Sequence, residues 1–194
     1  PEEWNQISFD DHVHDVNTKG RKSATHLIMD AWIKGIRRLR VIHYNYIEPR
    51  SAAELQEAAE IMGISVRMGI EFSAAFRGRY VQFIWAPRGF PDSPSFLCFL
   101  AEDRVRELME EGKQVSRYQR KYVLQVLARF NEAHRLKISQ EFSISLEPVS
   151  EIEFLKFVGA GQASLIHLAK FIHVKVLGLM KARVEELKKE FQEA

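Results

Sequence analysis

Two histidines, His12 and His14, stand two residues apart in the run Phe9-Asp10-Asp11-His12-Val13-His14-Asp15. On an extended segment side chains alternate, so both imidazoles fall on one face. Imidazoles with carboxylate neighbours form a natural ligand set for a divalent metal. The plain alternative is a hydrogen-bonded pair at a polar strand end, since an H-x-H arises readily by chance among seven histidines. His43 and Tyr44, and then Glu71, stand at the ends of later apolar runs.

Cationic groups cluster near these candidates. Arg77 and Arg79 flank Gly78 just after Glu71. Two guanidiniums there suit a substrate phosphate, or mark an exposed hairpin. Lys34, Arg37, Arg38 and Arg40 gather beside the second apolar run. That cluster is either a platform for phosphate or nucleic acid or a solvated charged face.

The elements that must position these residues follow from pattern. Ile7 to Val13 reads as a strand and Asn17 to Lys22 as a loop turning at Gly20. Ser23 caps a helix from Ala24 to Lys34, with Leu27, Ile28, Ala31 and Trp32 at helical spacing. Ile36 to Tyr46 is a strand, and Ser51 to Glu54 is a capping box opening a helix to Met62. Ile64 to Ile70 and Tyr80 to Trp85 are further strands, so strand and helix alternate as in a parallel α/β fold. Ligands gather at the carboxyl ends of such strands, where His12, His14, His43, Tyr44 and Glu71 stand. After Pro87 the pattern turns helical: Glu102 to Glu111, then Ser116 to His134. Phe142 to Leu146 reads as a short strand, Ser150 to Glu153 as another capping box, and Ser164 to Val176 and Leu179 to Phe191 as helices.

Composition limits the classes. A chain of 194 residues can bury a core as one domain, and a net charge of +2 gives no global field drawing it to nucleic acid or a membrane. No apolar run reaches the ~18 residues of a membrane span, and no signal peptide is visible. The single cysteine, Cys98, in Phe96-Leu97-Cys98-Phe99-Leu100, reads as a buried thiol, which fits a reducing, cytoplasmic setting. The chain starts at Pro1 without Met and ends in a charged helix, as a piece of something longer would.

These residues resemble the PHP family (polymerase and histidinol phosphatase domains), metal-dependent phosphoesterases on a distorted TIM-type barrel. The family's D-x-H-x-H stands as Asp10-Asp11-His12-Val13-His14, and Gly69-Ile70-Glu71-Phe72-Ser73 resembles its G-[IV]-E-x-S. Gly159-Ala160-Gly161 followed by Leu165-Ile166-His167-Leu168-Ala169 is similar to a segment of the branch that hydrolyses small nucleotide phosphates. There a glycine run precedes a helix with a metal-binding histidine. The departures are specific. Lys19 replaces an aspartate, Ile42-His43-Tyr44 replaces T-D-H, Gln82 stands where a histidine is expected, and the final D-x-H has no counterpart. A one-residue bulge in the second strand would let His43 serve in Tyr44's place.

The resemblance implies an α/β fold, a PHP-like and incomplete TIM-type barrel over 1–194. Its first βα units are 7–90, a helical insertion is 91–140, and barrel and C-terminal helices return over 141–194. It implies a divalent metal (Zn, Mn or Fe), one ion rather than three, on His12, His14, Glu71 and His167. Glu71 and Lys19 would be catalytic, with Lys19, Arg77 and Arg79 meeting the phosphate. For His167, a core histidine on an apolar helix is the alternative. The implied reaction is hydrolysis of a phosphorylated small molecule or nucleotide by metal-activated water. The competing expectation is an inactive PHP-like module that keeps the fold, has lost the metals and holds none, and regulates or binds other domains of a longer chain. Neither a membrane nor, except through the arginine cluster, nucleic acid is expected as a partner.

Overall fold

Four strands form one sheet in the order β1 (Phe9–Val13), β2 (Arg38–Tyr44), β3 (Ser65–Phe76) and β4 (Arg79–Trp85). The structure is a computed structural model and describes residues 9–18 and 20–193. β1, β2 and β3 are parallel, joined by the helices α1 (Ala24–Ile33) and α2 (Pro49–Met62). This α/β arrangement is compatible with an incomplete TIM-type barrel.

Both crossover helices pack by their apolar stripes. Ala24, Ile28 and Ala31 of α1, and Ala52, Leu55 and Ala59 of α2, repeat every three or four residues and are buried. They meet Leu39 and Val41 of β2 and Met68 and Ile70 of β3 in one core. Burying a side chain such as Ile28 or Leu55 contributes roughly 1.5–3 kcal/mol. One face of the sheet is thereby covered by helices. The alternation leaves Arg38, Arg40, Ile42 and Tyr44 of β2, with Ser65, Arg67, Gly69 and Glu71 of β3, on the other.

The chain divides into two units, Pro1–Ser116 and Arg117–Ala194, and the sheet belongs to the first. α3 (Ser93–Ala101) adds Phe96 and Leu100 to the first core. The second unit has its own core, with Val123, Leu127, Phe154, Leu168 and Phe171 drawn from α4 (Asp103–Arg129), α6 (Glu151–Val158) and α7 (Leu165–Glu193). Between α4 and α6 lie a π-helical turn, Phe130–His134, and α5 (Arg135–Phe142). Among the described residues no helix is long and apolar enough to cross a membrane.

Several expectations are corrected. β4 is antiparallel to β3, because only Arg77 and Gly78 separate them and both hold positive φ, the geometry of a tight hairpin turn. α2 starts at Pro49, and Ser51 is a buried partner of other side chains instead of its cap. Glu102–Glu111 and Ser116–His134 are not separate helices. α4 runs through Gly112, whose missing Cβ lets the helix close on the backbone of Asn45. α7 likewise runs through Gly178, at a cost of about 1 kcal/mol relative to alanine. Phe142–Leu146 is no strand: Ser143 ends α5 at φ 51°, and α5 side chains take the backbone groups of Leu146, Arg135 its carbonyl and Ser139 its N–H. Cys98 is exposed, since Phe96 and Leu100 claim the buried side of α3 and residue 98 falls opposite them.

Candidate metal centre

One irregularity in β1 decides where the histidines point. Phe9 pairs with Arg38 and Asp10 with Leu39, but the next partners are Val13 and Val41. Asp11 and His12 together stand against Arg40, a β-bulge. Strict alternation from Phe9 would send His12 and His14 to the helix-covered face. The extra residue reverses the parity, so Val13 joins the core edge and both imidazoles reach the open face. The loop that follows is held tightly. Gly20 N–H donates to the Asp15 carbonyl at 2.8 Å, and a Cβ on Gly20 would collide with the backbone of His14 and Asp15.

On the open face three side chains converge. His12 Nε2 lies 3.2 Å from His14 Nε2 and 3.2 Å from Glu71 Oε2, and one ligand atom from each residue falls within 4.8 Å of the others. Metal–nitrogen bonds of 2.0–2.1 Å in tetrahedral geometry place neighbouring ligand atoms about 3.3 Å apart. The spacing therefore fits a shared cation. The chemistry of the atoms fits as well. His14 Nδ1 is 2.6 Å from the Ile42 carbonyl, which can only accept, so Nδ1 carries the proton and Nε2 keeps its lone pair. Gln82 donates to Glu71 Oε1, leaving the buried Oε2 without a hydrogen bond. The 3.2 Å approach of His12 to Oε2 is an ion-pair distance lacking hydrogen-bond alignment, so the two observations agree.

The surroundings stiffen this set. Tyr44 stacks on His14 with ring centroids 4.9 Å apart and planes 16° from parallel. Burial, and secondarily the Glu71 carboxylate, raise the Tyr44 pKa, so it remains a neutral phenol at the site. β2 pairs with β3 without a break from Arg38 to Tyr44, so β2 has no bulge that would bring His43 to the ligands; the irregularity lies in β1. His43 consequently faces the helices, 1 % exposed, with Nδ1 4.0 Å from Asp15 Oδ1. Its pKa is lowered, chiefly by burial, against the opposing pull of Asp15.

Lys19 lies outside the described residues. Arg77 occupies the β3–β4 turn and Arg79 opens β4. Arg77 is six residues from Glu71 along β3, roughly 20 Å at ~3.3 Å per residue. His167 belongs to the second unit, where its Nδ1 is 3.0 Å from Ser164 Oγ and its N–H donates to the same oxygen. His26 makes the same pair of contacts with Ser23 at the start of α1. Sequence reasoning missed Asp15, Ser51 and the orienting roles of Gln82 and the Ile42 carbonyl. Of these only Asp15-Val16-Asn17 carries a signal, an Asx turn in which Asn17 N–H donates to Asp15 Oδ1 at 3.0 Å.

No protein-family model matches the chain, and no curated protein does. Among solved structures it is similar to a protein from Bifidobacterium adolescentis provisionally classed as a metal-dependent phosphoesterase. The identity is 17 % and the TM-score 0.53, over 88 % of this chain and 51 % of that one. It is also similar to an amidohydrolase from Chromobacterium violaceum at 20 % identity and TM-score 0.40, over 62 % of this chain and 39 % of that one. The first likeness is one of fold. The chain spans about half the length of that structure.

Proposed function

We propose that this chain is a PHP-like module that holds one divalent metal on His12, His14 and Glu71 and hydrolyses a phosphate ester there. The observation that carries the reading is the convergence of two imidazole nitrogens and an orphaned carboxylate oxygen at metal-ligand spacing. A bound divalent ion supplies charge neutralisation at phosphoryl oxygens and an acidified water. The chain's own residues do the rest. The Ile42 carbonyl fixes the His14 tautomer, Gln82 turns Glu71, and Tyr44 offers a phenol proton beside the ligands. Lys19 is assigned to the substrate phosphate. Arg77 and Arg79, at the hairpin, and His167, paired with its capping serine, are left outside the ligand set.

Three ligands suit one ion and not a cluster, which favours a second reading: a module that binds metal and has lost hydrolysis. Elemental analysis of the purified chain separates these from no site at all. About one equivalent of Zn, Mn or Fe, absent in a His12→Ala/His14→Ala protein, is expected. No metal in either, even after loading, sinks both readings. Given metal, turnover of p-nitrophenyl phosphate that depends on Lys19 marks the enzyme, and no turnover of any phosphate ester marks the binding module.

A further inference from the structure

Below the metal ligands, on the same open face of the sheet, the strands carry an arrangement the proposed reaction does not use. Arg40 of β2 and Arg67 of β3 are direct cross-strand partners, and Arg38 is two residues before Arg40 on the same face. Neighbouring strands lie about 4.8 Å apart, and like charges placed opposite each other destabilise a sheet. Three guanidiniums on one patch therefore favour an offsetting negative charge. Among the described residues only Arg40 has an acidic partner, Asp11 Oδ1 at 3.1 Å, and its Nε is buried without a hydrogen bond. Asp10, the other nearby carboxylate, accepts from the backbone N–H of His12. Among the described residues Arg38 and Arg67 have no acidic partner. These groups line a cavity of about 410 Å³ with Phe9 at its edge, an aromatic side chain 61 % exposed.

We infer that this cavity is an anion site for the phosphoryl group of a small molecule, held by Arg38, Arg67 and the inward edge of Arg40. Guanidinium forks match phosphate oxygens bidentately, and an anion between Arg40 and Arg67 removes their mutual repulsion. The Phe9 ring provides a surface for a flat apolar portion of the ligand. Arg67 lies four residues before Glu71, about 13 Å along the strand, while Arg40 stands against the bulge that carries His12; the site adjoins the metal ligands on that side but uses none of their ligand atoms, so it stands whether or not they bind metal.

The test titrates inorganic diphosphate into the full chain after chelator treatment, so that no metal reports the binding. Calorimetry and thermal unfolding are read against sodium chloride and sulfate at equal ionic strength. Saturable binding with a diphosphate-specific rise in Tm is expected. Arg67→Gln should weaken binding at least ten-fold while raising the Tm of the ligand-free chain, because the cross-strand repulsion is gone. Arg67→Lys, which keeps the charge and loses the fork, should fall between. Glu71→Gln should leave diphosphate affinity unchanged. A Tm rise that sulfate or chloride reproduces overturns the inference, as does an affinity unmoved by Arg67→Gln. An affinity that follows Glu71 would move the ion to the metal ligands and overturn it equally.

Discussion

Asp15, next to the expected ligand His14, and Glu71, an expected ligand itself, are both buried carboxylates, and the protein treats them oppositely. Asp15, 0 % exposed, is saturated: Asn17 donates to both its oxygens, at 3.0 and 2.8 Å, and Ser51 adds a third bond at 3.3 Å. Glu71, 6 % exposed, receives Gln82 on one oxygen and has no hydrogen bond on the other. A buried charge is tolerated when its lone pairs are filled, and is costly when they are not. Saturation marks Asp15 as part of the scaffold that holds the loop after β1. Glu71 Oε2 has only His12 Nε2 at ion-pair distance and no hydrogen bond, which is the arrangement the proposed metal would complete.

The comparison breaks most visibly at Asp15. Asp15→Ala strands Asn17, Ser51 and the loop on which Gly20 closes, and should destabilise the chain by about 3 kcal/mol in urea unfolding with or without metal. A loss below about 1 kcal/mol would mean that the network is not structural. Glu71→Gln should do the reverse. Without metal its stability should match or slightly exceed that of the parent, because a buried carboxylate with one oxygen lacking a hydrogen bond has gone, while metal affinity falls on the order of 100-fold. Equal metal affinity in the two proteins would remove Glu71 from the site. A smaller effect belongs to Gln82→Ala, which frees Glu71 to rotate; metal affinity should drop about ten-fold with unfolding nearly unchanged.

What can be read from sequence divides along the same line as these two carboxylates. Strands β1 to β3, the helices between them and the pairing of His12 with His14 follow from period and spacing, which are local properties. The face those histidines occupy does not. It depends on one extra residue in β1, and nothing in Asp10-Asp11-His12 distinguishes a bulge from regular strand. From sequence, ungapped matching puts Tyr44 at the ligand position, and only a bulge in β2 would bring His43 there instead. The observed register gives the open face to Tyr44 and sends His43 to the helices. Arg77 and Arg79 fail as neighbours of Glu71 for a related reason. A carboxylate in mid-strand and a hairpin tip six residues on are close in sequence and far apart in space. His167 carries the signal S-x-x-H with Ser164, and Ser23 to His26 repeats it. The shared geometry of the two pairs is that of a helix start.

The smallest effect sharpens the contrast between the two faces. His43 is sealed beside Asp15, and burial lowers its pKa below the ordinary value of 6.5. The unfolded chain therefore takes up a proton as pH falls through about 6.5, before the folded chain does. The stabilisation is fully present above that pH and is lost progressively down to the lowered folded-state value, with a slope no steeper than about 1.4 kcal/mol per pH unit for one group. Urea midpoints of the chelated chain should accordingly be lower at about pH 5.5 than at about pH 7.5. In His43→Gln, whose amide does not titrate, that part of the fall should disappear even if overall stability is lower. A pH dependence unchanged by the substitution would assign the acid sensitivity to the open face, and Asp15 would then need no neutral imidazole beside it.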